Sequence, residues 1–342
     1  MPGEPLADLI YPYTRRMTGI RRYSEKLLAA FIRTGTPVRA HRVRKIEFSL
    51  GGKPAGGLLS QKFFSSIIGT SCPVVHSLSP DVITRHTNVA TIHDIIPLQH
   101  RELFMNSRRE KAGYSIMFGR LEKLTIIVHT AHIKEQLVKQ GIDHSRIEVC
   151  GSSVGDFFRP SGRPSPYSAD GRKHLVTVGD YNPRKRYDVL YRAVNMLEGV
   201  DLYHIGPVNS WAKREAELKA IAAEGDGIHM LGSLPDDTLV DYLSHADLFV
   251  YASEEEGAGY TPAEALACGT PALVNRIPVF TDQFGSDVSY CSLEPDSFAG
   301  AIMEALGKEV DREALLRAAA RFSPDEEARR VAAVYRKVAV GQ

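Results

Sequence analysis

The sequence predicts an α/β protein of two domains, each built on a parallel sheet, and three observations predict it. Its 342 residues correspond to about two domains at roughly 150 residues each, with an ordinary composition of 43% hydrophobic and 24% charged residues. Short apolar runs alternate with helical patterns through the second half, the signature of a parallel sheet covered on both faces. Charge is segregated: residues 1–170 carry 24 Lys and Arg against 14 Asp and Glu, and residues 171–342 carry 18 against 27, so the halves stand at +10 and −9. Opposite halves either suit different partners or attract one another.

Taken in chain order, Met1 to Tyr13 holds Glu4 and Asp8 and lacks the basic-then-apolar pattern of a secretion signal. No run reaches the ~18 uninterrupted apolar residues of a membrane span, so a cytoplasmic location is expected. A helix is predicted over 18–34, where Ile20, Tyr23, Leu27 and Phe31 form one apolar face expected to pack in the core. Gly51 to Gly57 (GGKPAGG) reads as a mobile loop. Strands are expected at 73–77 (PVVHS), 89–93 (VATIH) and 125–128 (TIIV), with helices at 107–123 and 131–140, giving a first sheet smaller and less regular than the second. The Gly, Pro and Ser content of 155–172 places a linker at 156–172, between a domain at 1–155 and one at 173–322, with a last helical pattern inside 323–342. In the second domain, strands are expected at 174–178, 201–205, 228–231, 247–252, 271–274 and 288–291. Val189, Leu190, Ala193, Val194 and Leu197 mark a helix over 187–197, and the whole reads as a Rossmann-type domain. Cys72, Cys150, Cys268 and Cys291 are too scattered for a zinc site or disulfide framework, so four reduced thiols are expected.

Two loops carry candidate chemistry. In 247–269 (DLFVYASEEEGAGYTPAEALACG) a buried strand runs into a glycine-bearing loop and then a short helix, with Thr261 read as N-cap, Pro262 at the first helical position, Glu264 at the third and Gly269 after the last turn. Glu264 is then either a capping carboxylate or a ligand residue. Ligands of open α/β sheets bind where strand carboxyl ends meet helix N-termini, and unpaired N–H groups there favour phosphate. Gly257 and Gly259 would let backbone approach an anion, while Glu256 and Glu264, which can only accept, suit sugar or ribose hydroxyls. The second loop, 179–186 (GDYNPRKR), brings Arg184, Lys185 and Arg186 to another strand end. A cation about 4 Å from a phosphate gains on the order of 4 kcal/mol at an effective dielectric near 20, before desolvation. Neither loop is G-x-x-x-x-G-K-[ST] or G-x-G-x-x-G, which disfavours a P-loop NTPase or an ordinary dinucleotide oxidoreductase.

These residues resemble glycosyltransferase family 4, the retaining, mannosyltransferase-like "glycosyl transferases group 1" of GT-B fold. Residues 256–264 (EGAGYTPAE) look like its E-x7-E motif, 265–271 (ALACGTP) like the continuation, and 228–252 like the segment before it. Residues 178–190 resemble its diphosphate-binding loop, 91–98 (TIHDIIPL) its H-D-x-x-P-L stretch and 19–23 (GIRRY) its G-I-x-R-Y. The resemblance implies two Rossmann-like domains facing each other across a cleft, acceptor on the first and nucleotide-sugar donor on the second. It implies that Glu264 holds the ribose, that Glu256 contacts the transferred sugar, and that Gly257 and Gly259 face sugar and phosphate. Lys185 would neutralise the diphosphate with Arg184 beside it, Gly232 and the Leu234 backbone would border the base, Gly19 would close over the diphosphate, and His93 would meet the donor sugar. The last helix, 325–338, would cross back to the first domain. Two positions depart from the family: Asp180 stands where many members have Arg, and Ala258 where Phe is usual.

The implied reaction moves a hexose, mannose-like first, from a GDP- or UDP-linked donor to a hydroxyl of a glycan or polyprenyl- or lipid-linked acceptor. No cofactor and no metal is expected, and the sequence has no D-x-D. Arg15, Arg16, Arg21, Arg22, Lys26, Arg33, Arg39, Arg42, Arg44 and Lys45, opposed by Glu25 alone, could rest on anionic lipid at the inner face of the membrane, at about 1 kcal/mol each. Nucleic acid is not expected, since no recognition motif accompanies the charge. The alternatives are a non-catalytic nucleotide-sugar-binding subunit or sensor of the same fold, and a sugar-nucleotide epimerase.

Overall fold

A computed structural model describes residues 4–13, 19–44, 49–50, 53–54, 72–99, 119–208 and 212–341. The chain divides into two compact units, one of residues 1–153 with 323–342 and one of residues 154–322.

The first unit holds a six-stranded parallel sheet in the order β2-β1-β3-β4-β5-β6, with β1 Ala7–Tyr13, β2 Val38–Arg44, β3 Val74–Ser77, β4 Val89–Ile92, β5 Thr125–Val128 and β6 Ile147–Val149. The sheet is therefore as wide as its partner rather than smaller. Three strands escaped the sequence reading for physical reasons. β1 contains Asp8 and Pro12, and Pro12 is tolerated because β3 pairs only as far as Ile10. β2 is an edge strand studded with Arg and His, and β6 has three residues. Helix α1, Gly19–Arg33, turns Tyr23, Leu27 and Phe31 into the core as expected. Helix α2, Ala131–Lys139, is capped by the Thr130 hydroxyl on Ile133 N. Of the expected 107–123 helix, 107–118 lies outside the described residues, as do Gly51, Gly52 and residues 55–57 of the glycine loop. Lys53–Pro54 pairs antiparallel with Ser49–Leu50.

The last helix of the chain, labelled α10 once the second unit's elements are counted, spans Pro324–Val340 and belongs to this first unit. It buries Ala328, Val331, Ala332, Val334 and Tyr335 among residues of α1, β1 and β3. The Tyr335 hydroxyl bonds buried His76 Nδ1 at 2.6 Å, and His76 Nε2 meets Thr91 Oγ1 at 2.8 Å.

The second unit is a doubly wound sheet in the order β9-β8-β7-β10-β11-β12, all parallel. Its strands are β7 Lys173–Val178, β8 Val200–Ile205, β9 Ile228–Gly232, β10 Leu248–Tyr251, β11 Ala272–Asn275 and β12 Ser289–Cys291. Each falls within a residue or two of its expected position, because strands buried on both faces read as continuous apolar runs. The helices are α3 Tyr187–Asn195, α4 Ala212–Ala222, α5 Asp236–His245, α6 Tyr260–Ala267, α7 Pro278–Phe284, α8 Pro295–Leu306 and α9 Arg312–Ala319. One correction concerns α6. It starts at Tyr260 after Gly259 in the left-handed region, so Thr261, Pro262 and Glu264 lie inside it and Thr261 is no cap. Gly269, at φ 80°, closes the C-terminus as expected: its N–H reaches Leu266 O and Thr270 N–H reaches Ala265 O.

Residues 156–172, expected as a linker, pack on the second unit. The Ser161 hydroxyl donates to Asp241 at 2.6 Å, and Tyr167 stacks on His174 at 4.5 Å while its hydroxyl donates to Tyr242 O. The thiols are free, three of them buried and Cys72 half-buried. No helix among the described residues is long and apolar enough to cross a membrane.

Replacing Tyr335 by Phe leaves buried His76 Nδ1 without its partner and should cost about 1–3 kcal/mol. The check is the urea midpoint of the first unit's transition, expected to fall with unchanged slope.

Candidate functional site

In the second sheet the strand order reverses between β7 and β10, and loops leaving the carboxyl ends of two such strands open a crevice rather than covering it. The two candidate loops are the ones that leave β7 and β10. After β7 the chain makes a 3-10 turn at Pro183–Lys185, started by the Asn182 side chain accepting from Arg184 N, and ended by Arg186 at φ 48°. After β10 it runs through Ser253–Gly259 into α6. Glu254 N donates to Arg184 O at 2.8 Å, joining the loops through backbone.

Their side chains converge on one carboxylate. Glu256 Oε1 lies 2.5 Å from Lys185 Nζ and 2.7 Å from Arg184 Nη1, and accepts from the Tyr251 hydroxyl at 2.8 Å. Lys185 Nζ also donates to the Tyr251 hydroxyl and stands 4.7 Å from the centre of the Tyr251 ring. Arg184 is anchored besides by Glu255 O at 2.5 Å. Arg186 turns away to Glu254 and Asp188.

The charges in this cluster are largely shielded from water, Lys185 buried and Arg184 and Glu256 half-buried, and they compensate one another. Burial pushes the Glu256 carboxyl up, but Arg184 and then Lys185 outweigh it and bring it down to about 2. Burial lowers Lys185 and the like charge of Arg184 adds to this, with Glu256 pulling the other way. The two partners thus shift in opposite senses for stability. Glu256 has two cations and a hydroxyl to itself, whereas Lys185 shares one carboxylate, so the carboxylate is the group the cluster is built to hold ionised.

Buried polar contacts support the floor of the site. His204, held neutral by burial that lowers it to about 4, joins Gly179 O at 2.9 Å through Nε2 and the Tyr191 hydroxyl at 2.6 Å through Nδ1. Gly206 is pressed against the Gly179 carbonyl so closely that any Cβ there would overlap it. Gly206 N donates to Gly232 O at 2.9 Å, which ties Gly232 to the same carboxyl edge. Leu234 is half-buried on the core beneath α5.

Gly257, Ala258 and Gly259 are buried along the turn into α6. Gly259 combines φ 60° with the Phe280 and Phe284 rings 3.2 Å from where a Cβ would sit, so both the turn and the packing require glycine. Ala258 O accepts from the Gln283 side chain. Glu264 lies half-buried in the second turn of α6. Asp180 is half-buried at the end of β7 and contributes a smaller attraction to Lys185.

Gly19 and His93 belong to the first unit. Gly19 opens α1, and Tyr23 from that helix packs edge-on against His93 at 4.7 Å. His93 follows β4, with Nε2 2.9 Å from Leu78 O and Nδ1 3.0 Å from His129 Nε2. Of the basic stretch, Arg21 pairs with Glu25, Lys26 with Glu327, Arg33 with Asp325 and Arg39 with Asp8, and Arg42 donates to the Tyr11 hydroxyl. Arg15, Arg16 and Lys45 lie outside the described residues.

Sequence reasoning missed Tyr251, His204 and His129. The first two read as core residues of apolar strands. His129 had a signal, since β4 and β5 are neighbouring apolar runs that both lead into a histidine, TIH and IVH.

The class defined by these two parallel-sheet units is the GT-B glycosyltransferase fold: WaaG, a glycosyltransferase involved in lipopolysaccharide biosynthesis, superimposes with a TM-score of 0.73 at 14% identity, over 96% of this chain and 99% of that one. Residues 159–322, nearly all of the second unit, match the family model for glycosyl transferases group 1. D-inositol 3-phosphate glycosyltransferase of Mycolicibacterium smegmatis is 33% identical over 197 residues, 54% of this chain and 45% of that protein. The serotype-specific mannosyltransferase WbdA of Escherichia coli is 24% identical over 214 residues, 58% of this chain and 26% of that protein. The chain spans less than half the length of these curated relatives.

Replacing Glu256 by Gln leaves buried Lys185 and half-buried Arg184 without their counter-charge and should cost about 3 kcal/mol. Because the folded Glu256 pKa lies below the ordinary 4.5, the stabilisation it brings is complete above about 4.5 and is lost as pH falls toward 2. Urea unfolding of the second unit across this window should show that acid limb in the unmodified protein and a weaker one in the variant.

Proposed function

We propose that the protein is a glycosyltransferase that moves a hexose from a nucleoside-diphosphate sugar to a hydroxyl of a glycan or lipid-linked acceptor, with retention of anomeric configuration. The observation that carries the reading is the Lys185–Arg184–Glu256 cluster at the reversal point of the second sheet. Two cations held in the crevice by one carboxylate form a site that a diphosphate can occupy, and the glycines before α6 let its backbone approach the same anion.

In this reading the second unit binds the donor: Lys185 and Arg184 face the diphosphate, Glu256 the transferred sugar, Glu264 the ribose hydroxyls, and Gly232 with the Leu234 backbone the base. The first unit binds the acceptor and contributes His93 and Gly19. The anomeric carbon–oxygen bond to phosphate breaks while the acceptor oxygen bonds the same carbon from the vacated face, and the acceptor proton passes to the leaving phosphate oxygen. Negative charge develops on the diphosphate and positive charge on the sugar, so Lys185 and Arg184 stabilise the first and Glu256 the second. The positive charge that a divalent ion could supply comes here from Lys185 and Arg184, a metal-independent route. The names of the relatives, a mannosyltransferase and an inositol phosphate glycosyltransferase, favour a mannose-like hexose and a hydroxyl-rich acceptor.

Thermal unfolding with GDP-, UDP- and ADP-sugars tests the donor. A donor at 100 times its dissociation constant should add about 2.7 kcal/mol, and the shift should appear with one nucleotide class and vanish in Glu264→Ala. No shift with any class contradicts the reading, and donor binding without transfer to any acceptor favours a nucleotide-sugar-binding subunit. With the donor known, Lys185→Ala should lower kcat/KM by about 10²–10³-fold, measured by release of nucleoside diphosphate. A Glu256→Gln protein with full turnover contradicts the anionic role assigned to Glu256.

A further inference from the structure

His93 and His129, at the ends of adjacent strands β4 and β5, stack with centroids 5.1 Å apart and meet through Nδ1 of the first and Nε2 of the second at 3.0 Å. Their outer nitrogens both face backbone carbonyls, His93 Nε2 at 2.9 Å from Leu78 O and His129 Nδ1 at 3.0 Å from Gly151 O. A carbonyl only accepts, so each outer nitrogen needs a proton to make its bond, and the contact between the rings needs a third. Two neutral imidazoles carry two protons. One contact is therefore open while the pair is neutral, and burial favours that state, lowering both imidazoles well below their ordinary value.

Burial and charge fix the tautomer of His129. The His129 side chain is fully buried, and 3.7 Å from its Nδ1 lies Glu327 Oε1, a buried oxygen with no hydrogen-bond partner. A proton on His129 Nδ1 is thus met by Gly151 O and favoured by the Glu327 carboxylate. The Nε2 of His129 then carries no proton and can accept one hydrogen bond from His93 Nδ1. We propose that His129, fixed by Gly151 and Glu327, is a positioning residue that sets His93 as its Nδ1–H tautomer and leaves His93 Nε2 as the nitrogen that takes up a proton. A proton arriving there completes the bond to Leu78 O, and Glu327 offsets the charge through the His129 ring.

Several described groups surround the pair. From α1, Tyr23 packs edge-on against His93 at 4.7 Å and His129 at 5.1 Å, and Lys26 donates to Ser153 O at 2.5 Å with Glu327 Oε2 at 3.6 Å. From α10 comes Glu327, which accepts from the Ser153 hydroxyl. Cys150 follows β6, and His76 on β3 is engaged by Tyr335 and Thr91. Burial raises Tyr23 and Cys150, so both stay neutral. Lys26 opposes a proton on the pair and Glu327 favours one. Asp94, beside His93, accepts from Ile96 N. The bearing of this relay on sugar transfer rests on the reading of His93 as a sugar-facing group.

Long-range ¹H–¹⁵N correlation NMR of the full chain labelled with ¹⁵N-histidine tests it without any substrate. Protonated Nδ1 and bare Nε2 are expected on both rings at neutral pH, with His93 Nε2 the first of these nitrogens to gain a proton on acidification. In His129→Ala, His93 should switch to the Nε2–H tautomer and donate to Leu78 O. A neutral His93 carrying its proton on Nε2 in the unmodified protein overturns the proposal, and that spectrum decides alone if the variant fails to fold. Titrating in GDP-mannose or UDP-glucose separates the two readings: the predicted tautomers with no donor-induced change at His93 support the relay and contradict the sugar-facing role.

Discussion

A half-buried carboxylate between buried Lys185 and half-buried Arg184 is the constraint on which the second unit's arrangement turns. Glu256 ties the loop after β10 to the loop after β7, the two strands that flank the reversal of the sheet. Taking three charged groups out of water costs several kcal/mol each, and such a cluster persists only when geometry and extra hydrogen bonds offset that cost. Here the Tyr251 hydroxyl, the Tyr251 ring and the Glu255 carbonyl supply them. The Glu256 carboxylate is the counter-charge that holds Lys185 and Arg184 at the crevice. An arriving diphosphate would take over that part, releasing Glu256 to meet the sugar, where positive charge develops. On the proposed reading, one residue serves both the stability of the cluster and transition-state charge.

The same economy of buried polar groups holds the first unit together. α10, far from α1 in sequence, is fastened by Tyr335 to His76 and by Glu327 to Ser153 and Lys26. These contacts reach the His93–His129 pair, so the helix that completes the core also sets the electrostatics behind His93. Acidification acts on both units through different groups. In the second unit it removes the Glu256 charge toward pH 2, and in the first it supplies the proton that the paired histidines lack.

The sequence made the second unit legible and the first one only in part. Parallel strands covered on both faces are written as apolar runs, and all six in the second unit were readable, as were the positions of the two loops that carry Lys185 and Glu256. β1 and β2 were not, because Asp8 within β1 is held buried by Arg39 and His41 from β2. Each strand looks too polar alone, and the pairing that neutralises them is visible only in three dimensions. For the same reason the ion pairs of the 15–45 cations are not legible in sequence spacing: Arg21 meets Glu25, but Lys26, Arg33 and Arg39 pair with Glu327, Asp325 and Asp8 from other elements. The start of α6 misled by its T-P-A-E spacing, since Gly259 turns the chain into the helix before Thr261 can cap it.

The central claim is that Lys185 and Arg184 exchange Glu256 for a diphosphate. A crystal structure of the protein soaked with the nucleoside diphosphate of its donor tests this most directly. The account predicts phosphate oxygens within hydrogen-bond distance of Lys185 Nζ and the Arg184 guanidinium, with Glu256 withdrawn from at least one of them. A diphosphate bound elsewhere, with the three side chains still joined as in the empty site, would contradict it.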